Sequence, residues 1–251
     1  MAAGGTVKFD LIQGSVIKVK HIIPNSERSR MVRYQLTFKG GNPGQIIPGD
    51  SRQSLEAGAD KNSAILKVQS AGPMDGERGP EEVDAQYLKS NAIVTSDDRQ
   101  VRLLALKATR GMSDPWQKAG AIQKWVYEKV RTKNFKTAFA AANEVARNLS
   151  GDCTEHAVLA AAMCRAVGIP SRVVVGMIYV DEQAGFGYHM WDEVYVNQRW
   201  VAIDPSWNQS TVDAAHIKIS ESSLDGVSPF EAFTPIIRVM GKLEIDVIDF
   251  R

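Results

Sequence analysis

One segment constrains the fold of this chain more than any other. Residues 151–170 read Gly-Asp-Cys-Thr-Glu-His-Ala-Val-Leu-Ala-Ala-Ala-Met-Cys-Arg-Ala-Val-Gly-Ile-Pro, with both ends of a helix marked. Asp152 is a good N-cap, and Glu155 three residues later completes a capping-box pattern. Gly168 and Pro170 supply the stop. Between them Ala157, Val158, Leu159, Met163, Ala166 and Val167 leave little polar surface. A helix apolar nearly all round belongs inside a domain, so the remaining elements must be arranged about it.

Cys153 and Cys164, the only two cysteines, both lie on this helix. Eleven residues make about three turns, which separates them by roughly 16 Å along the axis. A disulfide needs α-carbons within about 7 Å, so no bridge joins them. Cys164, among Ala, Met and Val, reads as a small core residue. Cys153 is the first helical residue, where free N–H groups and the helix dipole are expected to stabilise a thiolate and lower its pKa. A nucleophile belongs there, although short residues at helix starts are also common for structural reasons.

Downstream, residues 188–196 and 199–204 are rich in aromatic and β-branched types, as strands are. Asn197-Gln198 between them forms a two-residue turn. That turn pairs Val196 with Arg199, Tyr195 with Trp200, Val194 with Val201 and Trp191 with Asp204. Alternation places His189, Trp191, Glu193 and Tyr195 on one face. Asp204 joins that face as the diagonal neighbour of His189, and Pro205 closes the strand. A carboxylate that orients a histidine, and a histidine that can meet a helix-start cysteine, are the parts of a nucleophilic triad. Taken singly, a histidine on a strand or an Asp before Pro is more often structural. His156, one turn beyond Cys153, competes for the role of base, but a histidine on the same helix has difficulty reaching over the thiol. It reads as a support for the site. Glu155 reads as a cap, Glu193 as structural or one layer behind the site, and Trp191 as a wall beside His189. Cys153, His156 and His189 also have a conceivable zinc spacing, yet no second metal-binding pair accompanies them. No metal or cofactor is expected.

Three further helices are expected before the cysteine: Ser96 to Gly111; one opening at Asp114-Pro115 and burying Trp116, Ala119, Ile122, Val126 and Val130; and an Ala-rich one from Thr137 to about Leu149. Arg172 to Val180 reads as a buried strand, and Asp181 to Gly187 as a mobile rim or a plain strand connection. Residues 6–70 differ. Met31 to Phe38 alternates cleanly, as do parts of 16–22 and 65–68, with turns at Pro24-Asn25 and at 40–44, so this part is antiparallel β. Residues 71–84 read as a linker, and 236–250 as one or two closing strands. The organisation expected is an N-terminal β module with its linker over 1–84 and a helix-and-sheet core over 85–251. The module reads as a scaffold in preference to a substrate-positioning unit.

The chain has 251 residues and a formal net charge of +1, with 44% hydrophobic and 24% charged residues. It is globular in composition and lacks the basic excess of a nucleic-acid binder. No run reaches the ~18 apolar residues of a membrane span, and no secretory signal is visible at Met1. The early strand suggests a piece excised from a longer protein.

Four segments together resemble the transglutaminase-like superfamily, a papain-related group: Gly-Asp-Cys153-Thr-Glu-His-Ala; Cys-Arg-Ala-Val-Gly-Ile-Pro-Ser-Arg-Val-Val-Val-Gly176; Tyr188-His189-Met-Trp-Asp-Glu-Val-Tyr-Val; and Arg-Trp-Val-Ala-Ile-Asp204-Pro-Ser. The tail Val212-Asp-Ala-Ala-His-Ile-Lys-Ile is similar to its bacterial branch. The match runs from about residue 97 to 220. It implies an α+β, papain-like core with helices packed on an antiparallel sheet and the nucleophile at a helix N-terminus. It implies Cys153 as nucleophile, His189 as general base and acid, and Asp204 as the group that orients His189. Tyr188, His156, Trp191 and Glu193 stand around them as substrate-binding or supporting residues. The implied chemistry is thioester-forming amide hydrolysis or acyl transfer on protein or peptide substrates. Transglutaminases proper usually carry Trp after the nucleophile. Thr154 stands there instead, and no upstream oxyanion Trp is matched, so hydrolysis is favoured over cross-linking. The other expectation is a catalytically silent peptide-binding module of the same fold. Members of the bacterial branch are often exported, so an extracytoplasmic site with a leader outside this chain is expected.

Overall fold

A computed structural model describes residues 16–131 and 139–251. Helices α1 (Arg99–Ala108), α2 (Pro115–Lys129) and α3 (Ala142–Asn148) pack around α4 (Cys153–Ala166). The capping box forms at the start of α4: Asp152 accepts from the Thr154 N–H at 2.8 Å, and Glu155 Oε2 accepts from the Asp152 N–H at 3.0 Å. Gly151 is required here, because a β-carbon on it would lie 2.2 Å from the Glu155 β-carbon. From Thr154 to Arg165 the helix is buried. α1 and α2 begin at Asp98 and Asp114, whose carboxylates cap the first turns.

The third helix departs from expectation. Thr137 lies outside the described residues, and Phe139 and Ala140 are not helical. Backbone groups there are drawn elsewhere: the Ala140 N–H donates to Glu155 Oε1 at 3.0 Å and the Ala142 N–H to the Ile93 carbonyl at 2.8 Å. Helix propensity loses to these tertiary partners.

Against α4 lies an antiparallel sheet of β5 (Ser171–Val180), β6 (Gly185–Val196), β7 (Arg199–Ile203), β8 (His216–Ser222) and the short β1 (Val16–Lys18). Asn197 and Gln198 both have positive φ, 52° and 61°, as a two-residue hairpin turn requires. The β6–β7 register is the expected one, from Val196 with Arg199 to Asp192 with Ile203. Residues 181–187 form a tight strand connection and no rim: a short turn covers 181–183, and β6 starts at Gly185 opposite Val180.

β6 pairs with β5 along one edge. Its other edge is shared by β1, opposite 185–187, and β7, opposite 192–196. Among the described residues, 188–191 on that edge face no strand. The start of α4 stands there, with the Met190 N–H near enough to the Cys153 sulfur to favour its thiolate.

A second antiparallel sheet has the order β3 (Gln53–Ala57), β4 (Ser63–Gln69), β2 (Met31–Phe38), β9 (Leu243–Phe250). Alternation in β2 buries Val32, Tyr34, Leu36 and Phe38. The two sheets exchange strands along the chain: β9, from the C-terminal part, completes the sheet of β2, β3 and β4, and β1 joins the sheet beside α4. Gln53 clamps them together with two hydrogen bonds to the Lys218 backbone, both 2.9 Å. No helix among the described residues is long and apolar enough to cross a membrane.

Candidate active site

Cys153 is half-buried at the first position of α4, and Cys164 is fully buried. The expected low thiol pKa does not hold. Burial pushes the Cys153 thiol well above its ordinary value, and Asp152 adds to the effect. The Met190 N–H opposes them, while Asp204 and Glu155 raise the thiol further. Three carboxylates and desolvation outweigh the helix start. The resting group is therefore a thiol that needs a base.

His189 stands next to Met190 on β6. Its Nε2 lies 2.6 Å from Asp204 Oδ2, which leaves Nδ1 as the nitrogen available to a thiol. Asp204 is wholly buried and held on both oxygens. Oδ1 accepts from the Ser206 N–H (2.8 Å), the Ser206 hydroxyl (2.8 Å) and the Trp207 N–H (3.0 Å). Burial alone would raise this carboxyl, but His189 and His216 hold it well below the usual range. The turn after β7 is closed by reciprocal backbone bonds between Asp204 and Gln209, 2.7 and 3.0 Å. Gln123 on α2 supports the same corner, donating to the Asp204 carbonyl at 3.2 Å.

The other sequence candidates separate. Trp191 is buried and stacks on His189, with centroids 6.0 Å apart and planes 20° apart. His156 turns from the thiol: its Nδ1 lies 2.6 Å from the Asp152 carbonyl, and burial lowers its pKa. That orientation does not assemble the zinc set Cys153, His156 and His189. Tyr188 lies close enough to Cys153 to feel its charge, and its ring meets Phe233 at 5.3 Å. It also borders a cavity of about 420 Å³ walled by Ile17, Met177, Phe186, Ile236 and Leu243. Glu193 is committed elsewhere, to Arg172 at 2.7 Å and Lys218 at 2.9 Å.

Four residues went unread as site members: Gln123, Ser206, Trp207 and His216. Trp207, 44% exposed, packs edge-on against His189 at 6.4 Å. Ser206 and Trp207 follow Asp204 directly, so an Asp whose next residues return their N–H groups to its carboxylate was a usable signal. His216 adds a third partner to the His189–Asp204 pair, 3.1 Å from Asp204 Oδ2. His189, Asp204 and His216 gather ligand-type atoms within 4.8 Å of one another. Both Nε2 atoms address one carboxylate oxygen at hydrogen-bond distance, so the cluster is built as a hydrogen-bonded relay.

Gly176 on β5, opposite His189, makes room for this arrangement. A β-carbon there would lie 2.2 Å from the Ile217 carbonyl oxygen and 2.6 Å from the Trp191 ring. Gly176→Ala is expected to destabilise the protein by about 1–3 kcal/mol and to tilt Trp191 off His189. Thermal melts and tryptophan fluorescence check this; an unchanged melt would mean the strand yields freely.

The model of the transglutaminase-like superfamily matches residues 102–205, the span from α1 to just past Asp204. Over that span the chain is similar to the transglutaminase-like superfamily. A solved candidate cysteine protease from Cytophaga hutchinsonii shares the fold, with a TM-score of 0.56 at 16% identity over 89% of this chain and 85% of that one. The periplasmic domain of TgpA from Pseudomonas aeruginosa, solved with ethylmercury, aligns at 15% identity over 72% of this chain and 92% of that one, with a TM-score of 0.43. No curated protein matches the sequence. The transglutaminase-like, papain-related core and its antiparallel sheet are thus the fold expected from the four sequence segments.

Proposed function

We propose that this protein is a cysteine-dependent amide hydrolase or acyltransferase acting on protein or peptide substrates, with hydrolysis as the main outcome. The 2.6 Å pairing of His189 with Asp204, beside a half-buried Cys153 at a helix start, is the observation that carries this reading. The cysteine-protease assignment of the Cytophaga hutchinsonii neighbour agrees with it.

In this mechanism His189 Nδ1 takes the proton from Cys153 as Sγ attacks the amide carbon. A C–S bond forms and the carbonyl electrons move to oxygen, where the Cys153 N–H on the first helical turn donates to the oxyanion. Collapse breaks the C–N bond, and His189 returns the proton to the leaving amine. Water then attacks the thioester with His189 as base, releasing a carboxylic acid and the thiol. A primary amine in place of water gives transamidation. Asp204 fixes the ring and stabilises the imidazolium. Thr154 in place of Trp favours water as the acceptor. The division into a β module over 1–84 and a catalytic core over 85–251 belongs to the same proposal, with the module as scaffold.

Because the thiol is raised, its reactivity should depend on His189. Iodoacetamide is expected to label Cys153 in the native protein while buried Cys164 stays protected. His189→Ala should slow Cys153 labelling at neutral pH by on the order of a hundredfold. Equal rates in the two proteins would remove His189 as base. Peptide-library profiling with an added primary amine separates cleavage from incorporation. Peptide binding with neither product, and no thioester trapped by hydroxylamine, would identify a silent binding module.

A further inference from the structure

The geometry points to His216 as a positioning residue of the proposed triad: a buried imidazole that bridges Asp213 and Asp204 and places a fixed cation behind the carboxylate. The inference rests on the Cys153–His189–Asp204 reading and extends it to a fourth and fifth member. His216 has no exposed surface. Its Nδ1 lies 2.8 Å from Asp213 Oδ1 and its Nε2 lies 3.1 Å from Asp204 Oδ2. A neutral imidazole donates through one nitrogen only, so two carboxylate partners are both satisfied only by the protonated ring.

The surroundings support a charged ring. Burial alone would favour the neutral form, but Asp213 and Asp204 push the His216 pKa up to about 9. From β6, His189 faces it with ring centroids 5.7 Å apart, and Trp191 meets it edge-on at 5.3 Å. Asp213 is itself anchored. Gln209 donates to its carboxylate at 2.6 Å and the Ala215 N–H at 2.8 Å. Behind it, Arg52 donates to the Asp213 carbonyl at 2.6 Å, and the Tyr34 hydroxyl to the Ala214 carbonyl at 2.9 Å. Arg52 and Tyr34 belong to the N-terminal sheet region, so that module reaches the triad through Asp213 and His216.

Two consequences follow. Asp204 Oδ2 accepts from both histidines, so His216 fixes the direction in which the carboxylate meets His189. Its positive charge, on a ring whose centroid is 5.7 Å from that of His189, also opposes the charge that His189 gains when it takes the thiol proton. Removing the charge while keeping a donor should therefore move the loss of reactivity to higher pH.

The test has two parts. Histidine ring NMR of the native protein is expected to show one imidazolium, assigned by its absence in His216→Gln, that carries both N–H protons at pH 7 and loses one only near pH 9. The rate of Cys153 alkylation by iodoacetamide is then followed against pH in wild type, His189→Ala, His216→Gln and Asp213→Asn. In His216→Gln the acid limb should move up by about one to two pH units. Asp213→Asn, which keeps His216 but releases its charge partner, should move it less and in the same direction. A neutral His216 at pH 7, or a His216→Gln profile that overlays wild type, overturns the inference. If wild type and His189→Ala already react alike, the triad reading fails first, and this inference falls with it. If His216→Gln does not fold, the Asp213→Asn variant decides through both its alkylation profile and the imidazolium signal whose titration that substitution should lower.

Discussion

Cys153→Ala is expected to lower turnover by on the order of 10⁵-fold or more while leaving substrate binding in place, because loss of the nucleophile in a triad costs about as much as loss of the whole triad. The substitution is conservative for the fold. Cys153 is half-buried at the first helical position, the cap is made by Asp152 and Glu155, and alanine suits a helix. A melting curve close to wild type should accompany the loss. Mass spectrometry of the wild-type protein after substrate and hydroxylamine should reveal the trapped acyl group, absent in the variant. Cys164→Ala is the control: its sulfur lies about three turns along the helix, so turnover should persist despite some loss of core packing. Turnover above about one per cent in Cys153→Ala would require a different nucleophile.

Lys218→Met is expected to give the largest loss of stability, about 3–5 kcal/mol, the cost of leaving buried charges without their partner. Lys218 Nζ lies between Glu193 at 2.9 Å, Glu221 at 3.7 Å and Asp50, and Glu193 has only 3% of its side chain exposed. Arg172 remains for Glu193, bonded at 2.7 Å, but Asp50 and the seam between the two sheets lose their cation. For a chain of this size the melting temperature should fall by roughly 6–20 °C. Lys39, whose pair with Glu244 is more than half exposed on both sides, gives the contrast: Lys39→Met should leave the melting curve close to that of wild type. If both variants melt alike, the buried network contributes no more than a surface pair.

The sequence made the α4 helix and the β6–β7 hairpin readable for different reasons. In α4 the ends are written locally, by Asp152, Glu155 and Gly168, and a helix apolar all round has few places to go. In the hairpin, the length of the turn alone sets the parity that brings His189 and Asp204 together. What escaped reading depends on distant partners. β3, Gln-Ser-Leu-Glu-Ala, has no alternation and is a strand because β4 pairs with it. The third helix was shortened by Glu155 and Ile93. His216 stood in a quoted segment, yet nothing local to it tells that two carboxylates from separate turns converge on its ring. The raised Cys153 thiol has the same origin, since helix-start chemistry is local whereas desolvation and the Asp204 charge are tertiary.

The exchange of strands between the sheets also bears on how the chain is made. β2 acquires β9 only after about two hundred further residues have been synthesised, so the N-terminal sheet cannot close while its own segment is emerging. Contacts of such separation slow folding. Until β9 arrives, β2 presents an open edge beside an apolar face, the kind of surface that invites pairing with another chain. Biogenesis, more than the finished fold, is where this protein is most exposed to misassembly.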